Sequence, residues 1–195
     1  MKNTGDFYDT NANIYYQQTC NIDPSPFLSI VTQRLPPGAN ILDVGCGSGR
    51  DLLWLRQNGF HAQGLERSPH MAELARTHSG CHVTVGDFQS YTFSNLQCDA
   101  ILMVGSLVHL THPELPAVLN RIIKGLKQGG YMYLSLKQGK GASVTHQGRT
   151  FRLWQCAQLE TIFSGLGLTT EHFSKNSSPI HPHETWLGYL LKCDA

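Results

Sequence analysis

The sequence predicts an α/β domain with a doubly wound, mostly parallel sheet and helices on both faces. Three observations predict it. From Asn40 onward short apolar runs alternate with amphipathic helical stretches, a glycine cluster closes the first run, and the chain is sized for one core. Its 195 residues are 41% apolar and 15% charged, which fits a single globular domain. Strands that each hand over to a helix argue for parallel pairing with both faces covered.

In chain order, the first stretch sets Phe7, Tyr8, Tyr15 and Tyr16 among Asp and Asn. Pro24-Ser25-Pro26 then opens an apolar helix that runs to about Leu35. Pro36-Pro37-Gly38 ends it, because proline lacks the donor and clashes with the preceding turn. Residues 1–36 therefore read as a helical lid segment ahead of a domain spanning 37–195. Asn40–Val44 is the first strand, and Leu52, Leu53 and Leu55 mark the helix after its glycines. Residues 61–65 form a strand, and 69–77 a helix with Ser68 as N-cap and Pro69 in the first turn. Residues 82–85 and 99–104 are strands. Glu114 opens a helix with Leu115, Val118, Leu119, Ile122, Ile123 and Leu126 facing inward. Gly129-Gly130 stops that helix, and 131–136 returns as a strand. One more helix, 157–166, precedes strands at 168–173 and 185–191, in which Trp186, like Tyr131 and Tyr133, reads as a packing residue. Open sheets of this kind bind ligands at the carboxyl ends of their strands, which points to the loops after Val44, Leu65, Val85 and Val104.

Composition narrows the partners. Fifteen basic and fourteen acidic side chains give a net charge of +1, and no block of Lys or Arg provides a phosphate-backbone footprint. No nucleic-acid partner is expected. The N-terminus has no apolar h-region, and the greasiest runs fall far short of the ~20 residues needed to cross a bilayer, so no membrane partner is expected. Six scattered cysteines without a C-x-x-C pair read as free thiols of a reducing compartment, which makes cytoplasm the expected location. The oligomeric state is open.

The most informative stretch is Asp43-Val44-Gly45-Cys46-Gly47-Ser48-Gly49-Arg50. A strand runs into Gly-x-Gly-x-Gly and then into a helix, so the backbone turns sharply and approaches a ligand closely. Dinucleotide enzymes carry a similar loop, and Asp43 separates the two readings. A carboxylate at the strand end repels a diphosphate and favours an ammonium and a nearby sulfonium, both present in S-adenosylmethionine. The third glycine falls at Gly49, where dinucleotide spacing wants a small residue at Arg50 instead. Glu66, twenty-one residues after Gly45, ends the second strand, where an acid accepts ribose hydroxyls. Asp87 and Phe88 follow the third strand and suit an adenine amino group and ring face.

Asp43 to Gly49, Glu66, Gly86-Asp87-Phe88 and Gly129-Gly130, in that order, resemble the class I S-adenosylmethionine-dependent methyltransferases. The resemblance covers about residues 40–137. It implies a Rossmann-like seven-stranded sheet with an antiparallel last strand. It also implies cofactor contacts from Asp43, Gly45, Cys46, Gly47 and Gly49 at the methionine end, Glu66 and Arg67 at the ribose, and Asp87 and Phe88 at the adenine. Val104, Gly105 and Ser106 would border the sulfonium, and Phe7-Tyr8-Asp9 with Tyr15-Tyr16 match in character the lid of the small-molecule members.

Methyl transfer from a sulfonium needs alignment and dryness, with a base only where the acceptor must lose a proton. The catalytic candidates are Ser106, His109 and Tyr15, His109 having a reference pKa suited to neutral pH; His112, beside the helix cap, ranks below it. Lys137, Lys140, His146, Arg149 and Arg152 punctuate a glycine-rich segment that reads as a loop or hairpin, with Arg149 and Arg152 able to grip a carboxylate or phosphate. His181-Pro182-His183-Glu184 is a poor zinc signature, and no metal is expected. The expected activity is methyl transfer to a small-molecule acceptor. A non-catalytic S-adenosylmethionine or S-adenosylhomocysteine sensor is the alternative, and an NAD-dependent oxidoreductase is opposed by Asp43.

Overall fold

The strand Asn40–Val44 (β1) is buried at every position after Asn40, as a central strand with covered faces must be. The structure, a computed structural model, describes residues 4–145 and 148–194, with side chains from Phe7 onward. Parallel neighbours flank β1: His61–Glu66 (β2) on one side and Cys98–Val104 (β4) on the other. The remaining strands of this sheet are His82–Val85 (β3), Leu126–Lys137 (β5), Leu168–Ser177 (β8) and Thr185–Cys193 (β9). Their order is β3-β2-β1-β4-β5-β9-β8, and only β9 runs antiparallel, between β5 and β8. This is the predicted doubly wound sheet of seven strands with an antiparallel last strand. The chain winds outward from β1 to β3 and then returns to β4, so the strand order reverses between β1 and β4. A ligand crevice opens at that point.

Side-chain alternation sends Leu42, Val44, Ile101 and Met103 to one face, under Glu114–Ile122 (α6) and Cys156–Gly165 (α7). Ile41, Ala100 and Leu102 go to the other, under Ser25–Thr32 (α3) and Arg50–Gln57 (α4). With period two, Asp43 shares that second face. Pro69–Ser79 (α5) begins as predicted, with the Ser68 hydroxyl accepting the Met71 N–H. Thr4–Thr10 (α1) and Ala12–Thr19 (α2) lie against α5.

One reading needs correction. Leu126 is not the last inward residue of a helix, because α6 ends at Ile122 and a single 3-10 turn, Ile123–Gly125, leads into β5. Leu126 pairs with Cys98, and the register then shifts so that Tyr131 meets Ala100, with Gly129 absorbing the irregularity at φ 74°. The glycine-rich segment after β5 contains a hairpin, Ala142–Val144 (β6) and Thr150–Arg152 (β7). It docks through the Arg152 N–H, which donates to the Val108 carbonyl at 2.7 Å. Among the described residues no helix is long and apolar enough to cross a membrane.

Candidate active site

Gly45, Gly47 and Gly49 all take positive φ, 74°, 52° and 75°. At Gly45 and Gly49 the loop has no room for a side chain. A Cβ on Gly45 would overlap the Ser106 Cβ of the β4–α6 loop, and one on Gly49 would stand 2.8 Å from the Ala75 carbonyl of α5. The loop is thus pressed between two neighbours, and its residues Gly45, Cys46, Gly47 and Ser48 line a cavity of about 600 Å³ at the β1–β4 crevice.

Asp43 lines this cavity with only 2% of its surface exposed. Its Oδ2 has no hydrogen-bond partner among the described residues. Burial pushes the carboxyl well above the usual carboxylate range; Asp51 and Glu66 add to the rise, and Arg50 opposes it. Arg50 lines the same wall, its Nε donating to Asp51 at 2.6 Å and its guanidinium lying 5.6 Å from the Phe27 ring centre. An acid with one unpartnered oxygen, ready to ionise beside an entering cation, thus stands next to an arginine. That pattern suits the zwitterionic end of an amino acid. Cys46, Gly47, Ser48, Val104 and Gly105 complete this half of the cavity.

Glu66, Arg67, Asp87 and Phe88 sit beside this half, around the ends of β2 and β3, and do not line the cavity itself. The Glu66 carboxylate accepts the Gly47 and Ser68 N–H groups, both at 3.0 Å, which ties β2 to the glycine loop. Asp87 accepts the Gln89 N–H at 2.9 Å and lies 3.5 Å from the Arg67 guanidinium. Phe88 packs half-buried on the main core. Asp9 of α1 accepts from the Ser68 hydroxyl at 2.7 Å, bringing the N-terminal helices over this edge.

The other half of the cavity is walled by Tyr8, Tyr15, Lys137, Arg149, Phe151 and Trp186. Tyr8 and Tyr15 meet edge to face with centres 5.2 Å apart. The Tyr15 ring also packs near Gly47, and burial raises its hydroxyl pKa. His109 stands behind Tyr8 rather than in the cavity wall. Its Nδ1 is 2.6 Å from the Thr150 carbonyl, an acceptor only, so Nδ1 carries the proton and Nε2 accepts the Tyr8 hydroxyl at 3.0 Å. Burial lowers the pKa of His109, and Arg149 and Lys137 lower it further, while the Thr150 hydrogen bond opposes them. Ser106 lies outside the cavity wall, with its buried hydroxyl oxygen lacking a partner among the described residues. His112 is turned away, its Nε2 donating to the Leu153 carbonyl at 3.0 Å beside Trp154. Of the cationic segment, Lys137 and Arg149 reach the cavity, Lys140 is exposed, Arg152 does not line it, and His146 lies outside the described residues.

Residues 41–130 match the family described as "Methyltransferase domain". Over those residues the chain is similar to methyltransferase domains, in agreement with the resemblance carried by its glycine loop. It is 30% identical over 118 residues to the ubiquinone biosynthesis O-methyltransferase of Xylella fastidiosa, covering 55% of this chain and 46% of that protein. The chain therefore spans about half the length of the curated relatives it matches. In fold it is similar to 1,6-didemethyltoxoflavin-N1-methyltransferase from Burkholderia thailandensis, solved with S-adenosylhomocysteine. That likeness has a TM-score of 0.79 at 17% identity and covers 98% of this chain and 88% of that one. It is also similar to magnesium protoporphyrin IX methyltransferase from Synechocystis, with a TM-score of 0.76 at 14% identity over 97% of this chain and 98% of that one.

Within this methyltransferase fold, four cavity residues escaped sequence reasoning. Arg50 enters the sequence reading only as a misfit to dinucleotide spacing, although it stands at the first position of α4, directly after the loop. Trp186 was assigned to packing, yet β9 pairs it with Lys137 at the mouth of β5 and lays its ring 3.3 Å from where a Gly105 Cβ would stand. Glu184 accepts from Lys137 Nζ at 2.7 Å. In the sequence Tyr8 reads only as part of a lid. No local pattern signals these contacts, because every partner except Asp51 is remote in sequence.

Proposed function

We propose that the chain binds S-adenosylmethionine in the Asp43–Arg50 half of the cavity and transfers its methyl group to a small-molecule acceptor in the other half. The supporting observation is the buried Asp43 carboxylate, whose Oδ2 lacks a partner beside the glycine loop. A buried acid in that condition is costly without a cation, and the ligand's ammonium provides one. The donor-set chemistry fits the rest of the cofactor. Asp43 takes the ammonium, Arg50 the methionine carboxylate, and Glu66 the ribose hydroxyls with the lone pairs left over from its two amide contacts. Arg67, Asp87 and Phe88 serve the adenine once the N-terminal helices, acting as a lid, move off the Ser68 edge. Val104 and Gly105 floor the site of transfer.

When bound, the cofactor supplies an electrophilic methyl group on a sulfonium. The chain's own work is to align, to exclude water and to take the acceptor's proton. Tyr8 faces the acceptor half and His109 backs it. As the acceptor's hydroxyl or amine proton passes to the Tyr8 oxygen, the Tyr8 proton passes to His109 Nε2. The resulting imidazolium stays hydrogen-bonded to Thr150 and later loses its proton to solvent. In this role His109 works through Tyr8. Tyr15, against the glycine loop, separates the two halves, and Ser106 supports Gly45.

Calorimetric titration with S-adenosylhomocysteine tests the first half of the reading, and release of that product from a metabolite panel tests the second. Absence of binding would overturn the assignment. Tyr8→Phe and His109→Gln are each expected to lower kcat by about a hundredfold, within the usual range for acid–base groups. The double variant should be no worse than either single, and product affinity should stay within about threefold. The wild-type kcat should rise with pH through the depressed His109 pKa and level off by neutrality, because only the neutral ring accepts. Additive losses would remove the Tyr8–His109 relay.

A further inference from the structure

Not every cation of the cavity has a counter-charge. Among the described residues three Lys or Arg side chains line the cavity: Arg50, Lys137 and Arg149. Arg50 is paired with Asp51, and Lys137, only 5% exposed, is paired with Glu184 at 2.7 Å. Arg149 has no carboxylate partner among the described side chains, and its Nε is buried without a hydrogen-bond partner. Its position is built rather than incidental. The Thr145 hydroxyl accepts the Arg149 N–H at 3.1 Å, and the Thr145 N–H donates to the Arg149 carbonyl at 2.9 Å, closing the tip of the β6–β7 hairpin. The guanidinium carbon lies 4.4 Å from the Phe7 ring centre and 5.3 Å from that of Phe151. Stacking on aromatic rings satisfies the faces of a guanidinium; in its plane Arg149 donates to the Tyr8 hydroxyl, and the buried Nε–H remains for a carboxylate.

The surroundings of that group are flat and aromatic. Phe151 carries Lys137 Nζ 3.8 Å from its ring centre, and Trp186 lies near Gly105 at the end of β4. We propose that the methyl acceptor is a planar aromatic monocarboxylic acid, with its carboxylate received by Arg149 and its ring held beside Trp186. This rests on the reading of the cavity as an S-adenosylmethionine site with an acceptor half. The single uncompensated positive charge matches a monoanion. A dianionic phosphate would leave one charge unmatched against a largely aromatic wall.

The test is calorimetric titration of the full chain with 4-hydroxybenzoate and indole-3-acetate, each against its own amide, and with phenyl phosphate. Every titration is run with and without saturating S-adenosylhomocysteine. The acids are expected to bind at least tenfold tighter than their amides and tighter than phenyl phosphate. Arg149→Gln should erase the preference for acid over amide, and Arg149→Lys should restore part of it. Unchanged S-adenosylhomocysteine affinity in both variants would show that the fold and the cofactor half are intact. Equal affinity for acid and amide, a preference that survives Arg149→Gln, tighter binding of phenyl phosphate, or no binding of any acid would each overturn the inference. Failure of S-adenosylhomocysteine to bind would instead overturn the cofactor reading, and the acid–amide comparison without it remains readable on its own.

Discussion

Replacing Asp43 with asparagine is expected to weaken S-adenosylhomocysteine binding by at least a hundredfold while raising the melting temperature of the free protein. The two effects have one cause. The carboxyl is buried, its Oδ2 lacks a partner among the described residues, and Asp51 and Glu66 disfavour its charge. Because its pKa is higher in the folded chain than in the unfolded one, folding takes up a proton there. The stabilising contribution is complete below the usual carboxylate pKa and drains away as pH rises through the raised value. Asparagine removes that drain. Relief of an uncompensated buried polar group is worth about 1–3 kcal/mol. At ~2–4 °C per kcal/mol for a chain of this size, the gain should be several degrees, widening toward higher pH. Ligand affinity should move the other way. In the wild type it should rise with pH through the same range, since the ammonium binds only the ionised acid, and in the variant it should be low and flat. Thermal melts and calorimetry across pH check both arms. A variant that binds normally, or melts lower than the wild type, would remove Asp43 from its assigned role.

Gly45→Ala should cost about 2–5 kcal/mol of stability and most of the cofactor affinity. A non-glycine residue at φ 74° carries a penalty of about 1–2 kcal/mol. The added methyl also overlaps the Cβ of Ser106, which sits next to the backbone and cannot swing away as the end of a long side chain would. Overpacking of this kind adds about 1–3 kcal/mol. To accommodate it, the β1 and β4 loops must part, and those loops carry both the amides of the glycine turn and the Val104–Gly105 floor. Combining Gly45→Ala with Ser106→Gly removes the overlap but not the φ penalty, so denaturant titration should show about half the loss recovered. Full recovery would mean that the backbone conformation carries no strain, and no recovery that the overlap is irrelevant.

The parts legible in the sequence are those governed by local backbone chemistry. Asp43 through Gly49 signals a strand, a turn of positive φ and a helix start within seven residues, and Ser68-Pro69 marks the next helix start by the same kind of rule. The near-continuous burial of β1 and β4 follows from their mostly apolar residues. The boundary near Leu126 was not legible, because an apolar residue after a helix fits the last inward turn or the first strand position equally well. What followed was settled by pairing with Cys98.

By itself the sequence determined the doubly wound class, the place of the glycine loop and the acid that faces it. Those features depend on torsion preferences and hydrophobic period, which short windows encode. Tertiary structure alone decided that Tyr8 meets His109 across 101 positions, that Lys137 meets Glu184 across 47, and that Arg149 stacks between Phe7 and Phe151. Each of these contacts depends on how the N-terminal helices lie, how the hairpin docks, or how β9 registers on β5. That information resides in the packing of the whole core, where no single window can hold it.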